Sequence, residues 1–309
     1  MTVPAEDLPT RVRIHEVGAR DGLQNEKATV PTEIKAEFIH RLAAAGLSTI
    51  EATSFVHPKW VPQLADAEKL FPMLGDLHAA LPVLVPNERG LDRALALGAR
   101  RVAVFASATE SFAKANLNRT VDEALAMFEP VVTRAKAEGA HVRGYLSMCF
   151  GDPWEGAVPV PQVVKVCRAL VDMGCDELSL GDTIGVATPG HVVSLLASLD
   201  EAGIPPAALA VHFHDTYGQA LANTLAALQQ GVTTVDASAG GLGGCPYAKS
   251  ATGNLATEDL VWMLRGLGID TGIDLGRLVA TSAWMATHLG RPSPSRTVRA
   301  LSHEDTEEH

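Results

Sequence analysis

The 309-residue sequence predicts an α/β fold: a (β/α)8 TIM barrel in a single domain over residues 1–309, with an extra C-terminal helix. Three observations predict it. Eight short apolar runs alternate with amphipathic stretches of helical period, the pattern of βαβ units and a parallel sheet. Polar residues with chemical capacity fall at the ends of those runs or just after them, where a barrel keeps its working groups. An open doubly wound sheet would prefer a GxGxxG loop after its first strand, and Gly18-Ala19-Arg20-Asp21-Gly22 stands there instead.

The predicted strands are Val12–Val17, Thr49–Ser54, His78–Val85, Val102–Ser107, Val142–Phe150, Glu177–Gly181, Leu209–His214 and Thr234–Ala239. Between and after them the helical period covers Thr32–Ala45, Val61–Phe71, Asn87–Leu97, Val121–Glu138, Pro161–Met173, Pro189–Glu201, Gln219–Gln230 and Leu255–Leu267. Asp274–Leu289 is the extra helix, so the barrel portion spans about 11–289. The punctuation agrees: Pro31-Thr32 opens the first helix, Thr120 caps the fourth, and Gly46, Gly98, Gly139, Gly174 and Gly231 follow helix ends. No Pro-, Gly- or Ser-rich linker divides the chain, and the acidic tail at about 302–309 is expected to be disordered.

Hydrophobic residues make up 47% of the chain, enough for a large core. The net charge of -11 repels phosphate backbones, so nucleic acid is not an expected partner. The first ten residues lack an apolar core and carry Glu6 and Asp7, unlike a secretory or transit peptide, and no apolar run reaches membrane length. Cys149, Cys167, Cys175 and Cys245 form no CxxC pair, which speaks against a disulfide framework or a structural zinc site. A cytoplasmic homo-oligomer, taken as a dimer, is the expectation.

His212-Phe213-His214 places two imidazoles on one face of the seventh strand. An isolated HxH is more often a pair of hydrogen-bonded core histidines. Here a carboxylate, Asp21, and an amide, Asn254, end the neighbouring first and eighth units, which adjoin the seventh in a closed barrel. Two imidazoles and two oxygen donors without a thiolate suit a divalent cation, Mg2+ or Mn2+, with positions left for water or substrate.

The segment VGARDGLQNE from Val17 resembles the first-strand motif of the hydroxymethylglutaryl-CoA lyase family. IEATSFVHPKWVPQLAD from Ile50, LGDTIGVATPG from Leu180, VHFHDTYGQALAN from Val211 and GLGGCPYAKSATGNLATEDL from Gly241 extend the resemblance from about Arg11 to Leu289. Arg20-Asp21 and the HxH are shared with related acyl-CoA condensing enzymes, whereas the glycine loop with Cys245 is specific to the lyases. The resemblance implies Asp21, His212, His214 and Asn254 as metal ligands. It implies Arg20 as the group on the thioester oxygen, Cys245 as the catalytic cysteine of a mobile loop, Glu51 and Asp182 as acidic pocket residues, and Gln24 as a polar neighbour of the substrate. Ala19 replaces a common proline and His57 a common small residue. The late cysteine of animal members is missing, so thiol-linked dimer regulation is not expected.

The implied reaction is a metal-assisted retro-Claisen cleavage of 3-hydroxy-3-methylglutaryl-CoA to acetyl-CoA and acetoacetate. Such a cleavage needs an acidified hydroxyl, a base, a stabilised enolate and a proton donor. Arg20 can neutralise the enolate oxygen, and His212, Asp182 or Glu51 can take the hydroxyl proton. Cys245 can protonate the carbanion. A lone cysteine is usually a small core hydrophobe, but Gly240, Gly241, Gly243 and Gly244 give this one a loop that can close. Lys27, Lys59, Lys114, Arg119 and Lys249 are candidate rim charges for CoA, and Ser111–Asn118, with Asn116, is the favoured CoA loop. Rival readings are a lyase for a longer branched 3-hydroxyglutaryl-CoA, an isopropylmalate- or citramalate-type synthase, a barrel metallohydrolase and a non-catalytic binding barrel. The synthases usually add a regulatory domain for which there is no room, and metallohydrolases place the HxH on the first strand.

Overall fold

The computed structural model describes residues 2–5, 7–244 and 253–302. Eight parallel strands form one curled sheet: β1 (Arg13–Glu16), β2 (Thr53–Ser54), β3 (Val83–Leu84), β4 (Arg101–Ser107), β5 (His141–Ser147), β8 (Glu177–Asp182), β9 (Leu209–Phe213) and β10 (Thr234–Ala237). A small antiparallel hairpin, β6 (Gly151–Asp152) and β7 (Gly156–Ala157), rises after β5. The barrel order is β1-β10-β9-β8-β5-β4-β3-β2. Backbone bonds close it: Glu16 N donates to Thr49 O (3.0 Å) and Glu51 N to Glu16 O (2.8 Å), joining β1 to the chain just before β2. Each of the eight predicted strands contributes to this barrel.

The helices are α1 (Thr32–Ala44), α2 (Ala67–Met73), α3 (Glu88–Ala96), α4 (Glu110–Leu117), α5 (Val121–Ala137), α6 (Val160–Met173), α7 (Pro189–Glu201), α8 (Ala220–Gln229), α9 (Thr257–Gly266), α10 (Leu275–Leu289) and α11 (Arg296–Ser302). Their apolar faces, such as Phe38, Ile39 and Leu42 of α1 and Leu195, Leu196 and Leu199 of α7, are buried in the main hydrophobic core. Thr120 caps α5 through a reciprocal capping box with Glu123, as its position in the sequence predicts.

Four expectations need correction. The Ser111–Asn118 stretch forms α4 rather than an open loop, ending on a left-handed Asn118. The fifth strand stops at Ser147 instead of Phe150, because Met148 takes φ 60° and turns the chain into the hairpin. Two helices follow the barrel, not one: Arg296–Ser302 is α11, tied by Arg296 Nη1 to Asp215 Oδ2 (2.9 Å). The start of the predicted acidic tail, Ser302, is therefore helical, and residues 303–309 lie outside the described residues.

The inside of the barrel is polar at one level. In the register His15 pairs with Asp236, and Asp236 with His212. His15, Arg143, Ser179 and Asp236 are all buried there. Buried charges are tolerated only when paired, and Asp236 and Arg143 meet in a two-pronged bond of 2.6 and 3.1 Å.

Candidate active site

The chain leaves β1 through one π-helical turn, Gly18–Gly22, which carries Arg20 and Asp21 at the C-terminal mouth of the barrel. A Cβ at Gly22 would lie 2.8 Å from Ser238 Oγ and 2.9 Å from Leu242 Cβ, so glycine is what lets this turn pack on the loop after β10. Asp21, His212 and His214 converge, with one ligand atom from each all within 4.8 Å of one another. The two imidazole rings lie 5.4 Å apart. Asn254 joins them through an isolated bridge to His214.

Asn254 refines the expected ligand set. Its Nδ2 donates to Asp21 Oδ2 (2.7 Å) and Leu242 O (3.0 Å), while its buried Oδ1 has no hydrogen-bond partner among the described residues. An orphaned amide oxygen beside two imidazoles and a carboxylate is a donor set that fits a hard divalent cation.

Arg20 is held on two sides. Its Nε donates to Glu51 Oε2 (2.7 Å) and its Nη1 to Asp21 Oδ1 (2.9 Å), and its guanidinium lies 5.5 Å from the Tyr145 ring centroid. Burial works against its charge, but Glu51 and Asp21 outweigh it and hold the pKa above the ordinary arginine value. Its Nη2 makes no bond among the described residues. Burial raises the pKa of Glu51 against the pull of Arg20. For Asp21, the cost of burial is exceeded by Arg20, His212 and His214, and its pKa is lowered. Burial pushes Asp182 up to about 6, although its oxygens accept from Val186 N (2.9 Å) and Ala187 N (3.0 Å). For His212, burial opposes the charged form, yet the hydrogen bond to Asp236 raises the pKa overall.

Two further carboxylates anchor the loops that carry the site. Glu16 accepts from Gly18 N (2.7 Å) and Ala239 N (2.8 Å) through Oε1 and from Thr257 Oγ1 (2.6 Å) through Oε2. It thereby fixes the start of the Arg20 turn and of the glycine loop together. Glu258 accepts from Gly240 N (2.9 Å to Oε2) and from Ser282 Oγ. Burial raises Glu16 to about 7 and Glu258 to about 8. Below the unfolded carboxylate value of 4.5 both states hold these protons, and above it the unfolded chain ionises first. The stability these groups contribute is therefore present at low pH and lost as pH rises from about 4.5 to about 8. Melting curves across that window should show the loss, with a shallower slope in Glu258→Gln; identical slopes in variant and parent would refute the assignment.

The other candidates are placed less centrally. Gln24 is half-buried beside the turn, and Lys27, Lys59, Lys114, Asn116 and Arg119 are exposed. Helix α4, with Lys114 and Asn116, is held at the mouth by the hairpin: Thr109 Oγ1 donates to Asp152 Oδ2 (2.6 Å) and Ser111 N to Glu155 Oε1 (2.6 Å). Cys245 and Lys249 lie outside the described residues. In the glycine loop before Cys245, the Gly244 carbonyl accepts from Asn25 Nδ2 (2.9 Å). Gly243 has φ +117°, and a Cβ there would meet Asn254 Nδ2 at 2.5 Å, so only glycine passes the Asn254 amide. Cys149 and Cys167 are buried, while Cys175 is only half-buried. Burial pushes Cys167 and Cys175 up to about 12 and holds Cys149 well above the ordinary thiol value, leaving all three thiols protonated near neutrality. His57 is exposed and accepts from Lys59 N (3.2 Å). Asp215 is turned instead to the helix layer, where it receives Ala220 N (3.0 Å) at the start of α8 and Arg296 Nη1 (2.9 Å).

Reading the sequence missed Glu16, Asn25, Arg143, Tyr145, Asp236 and Glu258. The signal for Asp236 was available: Thr234, Asp236 and Ser238 alternate on one face of a predicted strand beside the HxH strand.

A family model described as HMGL-like matches residues 11–285. A relative named hydroxymethylglutaryl-CoA lyase, mitochondrial, from Arabidopsis thaliana is 54% identical over 303 residues, covering 98% of this chain and 64% of the relative. The crystal structure of hydroxymethylglutaryl-CoA lyase from Pseudomonas aeruginosa is 45% identical with a TM-score of 0.93, covering 96% of this chain and 99% of that one. A structure of an HMG-CoA lyase from Acinetobacter baumannii in complex with coenzyme A and 3-methylmalate is 35% identical with a TM-score of 0.90, covering 96% and 97%. With a shared fold, near-complete coverage and a polar cluster at the barrel mouth, the chain belongs to the hydroxymethylglutaryl-CoA lyase family.

Proposed function

We propose that this chain cleaves 3-hydroxy-3-methylglutaryl-CoA into acetyl-CoA and acetoacetate. The observation that carries the reading is the convergence of Asp21, His212 and His214 beside a buried arginine at the barrel mouth. Asp21, His212, His214 and Asn254 would hold one Mg2+ or Mn2+, Asn254 through its unpartnered Oδ1. When bound, the cation supplies Lewis acidity to the substrate's hydroxyl and carboxylate oxygens.

The protein's own groups do the rest. Arg20, steadied by Glu51 and Asp21, offers Nη2 to the thioester oxygen, where negative charge grows as the carbon–carbon bond breaks. The hydroxyl proton passes to Asp182 or Glu51, each of which holds a proton more readily here than in water, and not to His212, which serves as a ligand. The bonding pair goes to the acetyl carbon, which Cys245 protonates. Gln24, Lys27 and Asn116 contact the substrate, with α4 on the CoA side. A one-domain homodimer in the cytoplasm completes the proposal; among the described residues no helix is long and apolar enough to cross a membrane.

Product analysis tests the activity. Incubation of the ester with the Mg2+-loaded protein should release equal amounts of acetyl-CoA and acetoacetate. Cleavage of a longer branched 3-hydroxyglutaryl-CoA in preference to this ester would redirect the reading to that substrate. Cys245 has its own test. Cys245→Ser should retain metal and fold but lose most turnover, and alkylation should no longer inactivate it. Turnover of the serine variant at the parent rate would remove Cys245 from the mechanism.

A further inference from the structure

A buried polar column descends from the metal cluster through the centre of the barrel. At its top, His212 Nδ1 lies 3.2 Å from Asp236 Oδ2. Asp236 is fully buried, and three other bonds fix it: Arg143 Nη2 to Oδ1 (2.6 Å), Arg143 Nη1 to Oδ2 (3.1 Å) and Ser179 Oγ to Oδ2 (2.8 Å). Arg143 Nη1 also donates to Tyr145 Oη (3.1 Å), which lies 3.3 Å from His15 Nε2. The strand register sets Asp236 directly beside His212, so the contact is dictated by backbone pairing and not by a flexible loop.

An imidazole has two nitrogens, and an ionised carboxylate only accepts. The bond to Asp236 therefore requires hydrogen on His212 Nδ1 and leaves the lone pair on Nε2. Nε2 is then the atom of His212 able to ligate alongside Asp21 and His214. Arg143 and Ser179 hold the carboxylate so that it cannot turn away.

We propose that Asp236 is a positioning residue: locked by Arg143 and Ser179, its carboxylate holds His212 in the Nδ1–H tautomer and directs the Nε2 lone pair to a divalent cation. The inference deepens the metal-dependent reading above and rests on it. It also means that both nitrogens of His212 are engaged in the metal-loaded protein, one by the cation and one by Asp236.

Histidine 15N NMR of the Mg2+-loaded protein tests the tautomer. His212 should show a protonated, pyrrole-like Nδ1 and an unprotonated Nε2; the reverse pattern overturns the proposal. Mn2+ titration by calorimetry gives the second measurement. Asp236→Asn should weaken Mn2+ binding by about tenfold to a hundredfold, the usual cost of losing such an outer partner. Ser179→Ala should shift it less, in the same direction. A purely structural role for Asp236 would lower the melting temperature of Asp236→Asn yet leave its Mn2+ affinity within twofold of the parent, roughly the scatter between neighbouring variants, and that result would overturn the proposal. If Asp236→Asn does not fold, the parent spectrum and the Ser179→Ala titration decide. Failure of the underlying metal reading looks different, because the parent itself would then take up no Mn2+.

Discussion

Replacing His214 with alanine is expected to abolish metal retention and turnover together. His214 sits just beyond β9, buried, with its ring 5.4 Å from that of His212 and its backbone bridged to Asn254. Removing one of two imidazoles leaves one imidazole, a carboxylate and an amide, and the loss in affinity should exceed the roughly tenfold to hundredfold typical of an outer-sphere partner. The check is elemental analysis of gel-filtered protein beside an activity assay, with circular dichroism to confirm the fold. Parent protein stripped exhaustively by a chelator should behave like the variant and recover when Mg2+ or Mn2+ is restored. Full turnover in stripped parent would end the metal assignment, whatever the variant does.

Arg20→Lys should act on the transition state more than on binding. Arginine spends Nε on Glu51 and Nη1 on Asp21, which leaves Nη2 aimed by two fixed bonds. An ammonium on a flexible stem cannot satisfy both carboxylates and still present a third donor at a set angle. Turnover should fall by about a hundredfold to a thousandfold, as when one donor to a developing oxyanion is lost. The Michaelis constant should change far less. Stability should drop as well, because Glu51 is fully buried and its Oε1 already lacks a partner among the described residues. Steady-state kinetics together with thermal melting separates the effects. A variant with intact turnover and only a raised Michaelis constant would show that Arg20 merely binds substrate.

Much of this was legible in the amino-acid order because short-range rules govern it. The HxH at His212 and His214 follows the strand period of two, and the structure does bring both rings to one face beside Asp21. Asp215, out of phase by one residue, points elsewhere for the same reason. Thr120 announces the start of α5 because a capping box is closed within four residues. Expectations failed where a distant segment decides the outcome. The Ser111–Asn118 stretch coils into α4, where the hairpin carboxylates Asp152 and Glu155 meet its start, and the sequence around 111 contains no trace of that partner. Arg296–Ser302 becomes a helix against Asp215 and Asp259, residues far away in the chain.

The sequence by itself determined the alternation of strands and helices, the side of the barrel that carries chemistry, and the residue types gathered there. Those follow from local periodicity and from the rule that parallel barrels work at their strand ends. Only the tertiary structure decided how the charges are paired. Arg20 is shared between Glu51 and Asp21, Asp236 between Arg143, Ser179 and His212, and Glu16 between Gly18, Ala239 and Thr257. The physical reason is that a buried charge must find its partners across the barrel, at sequence separations up to 241 residues, and strand register rather than sequence proximity selects which partner it meets.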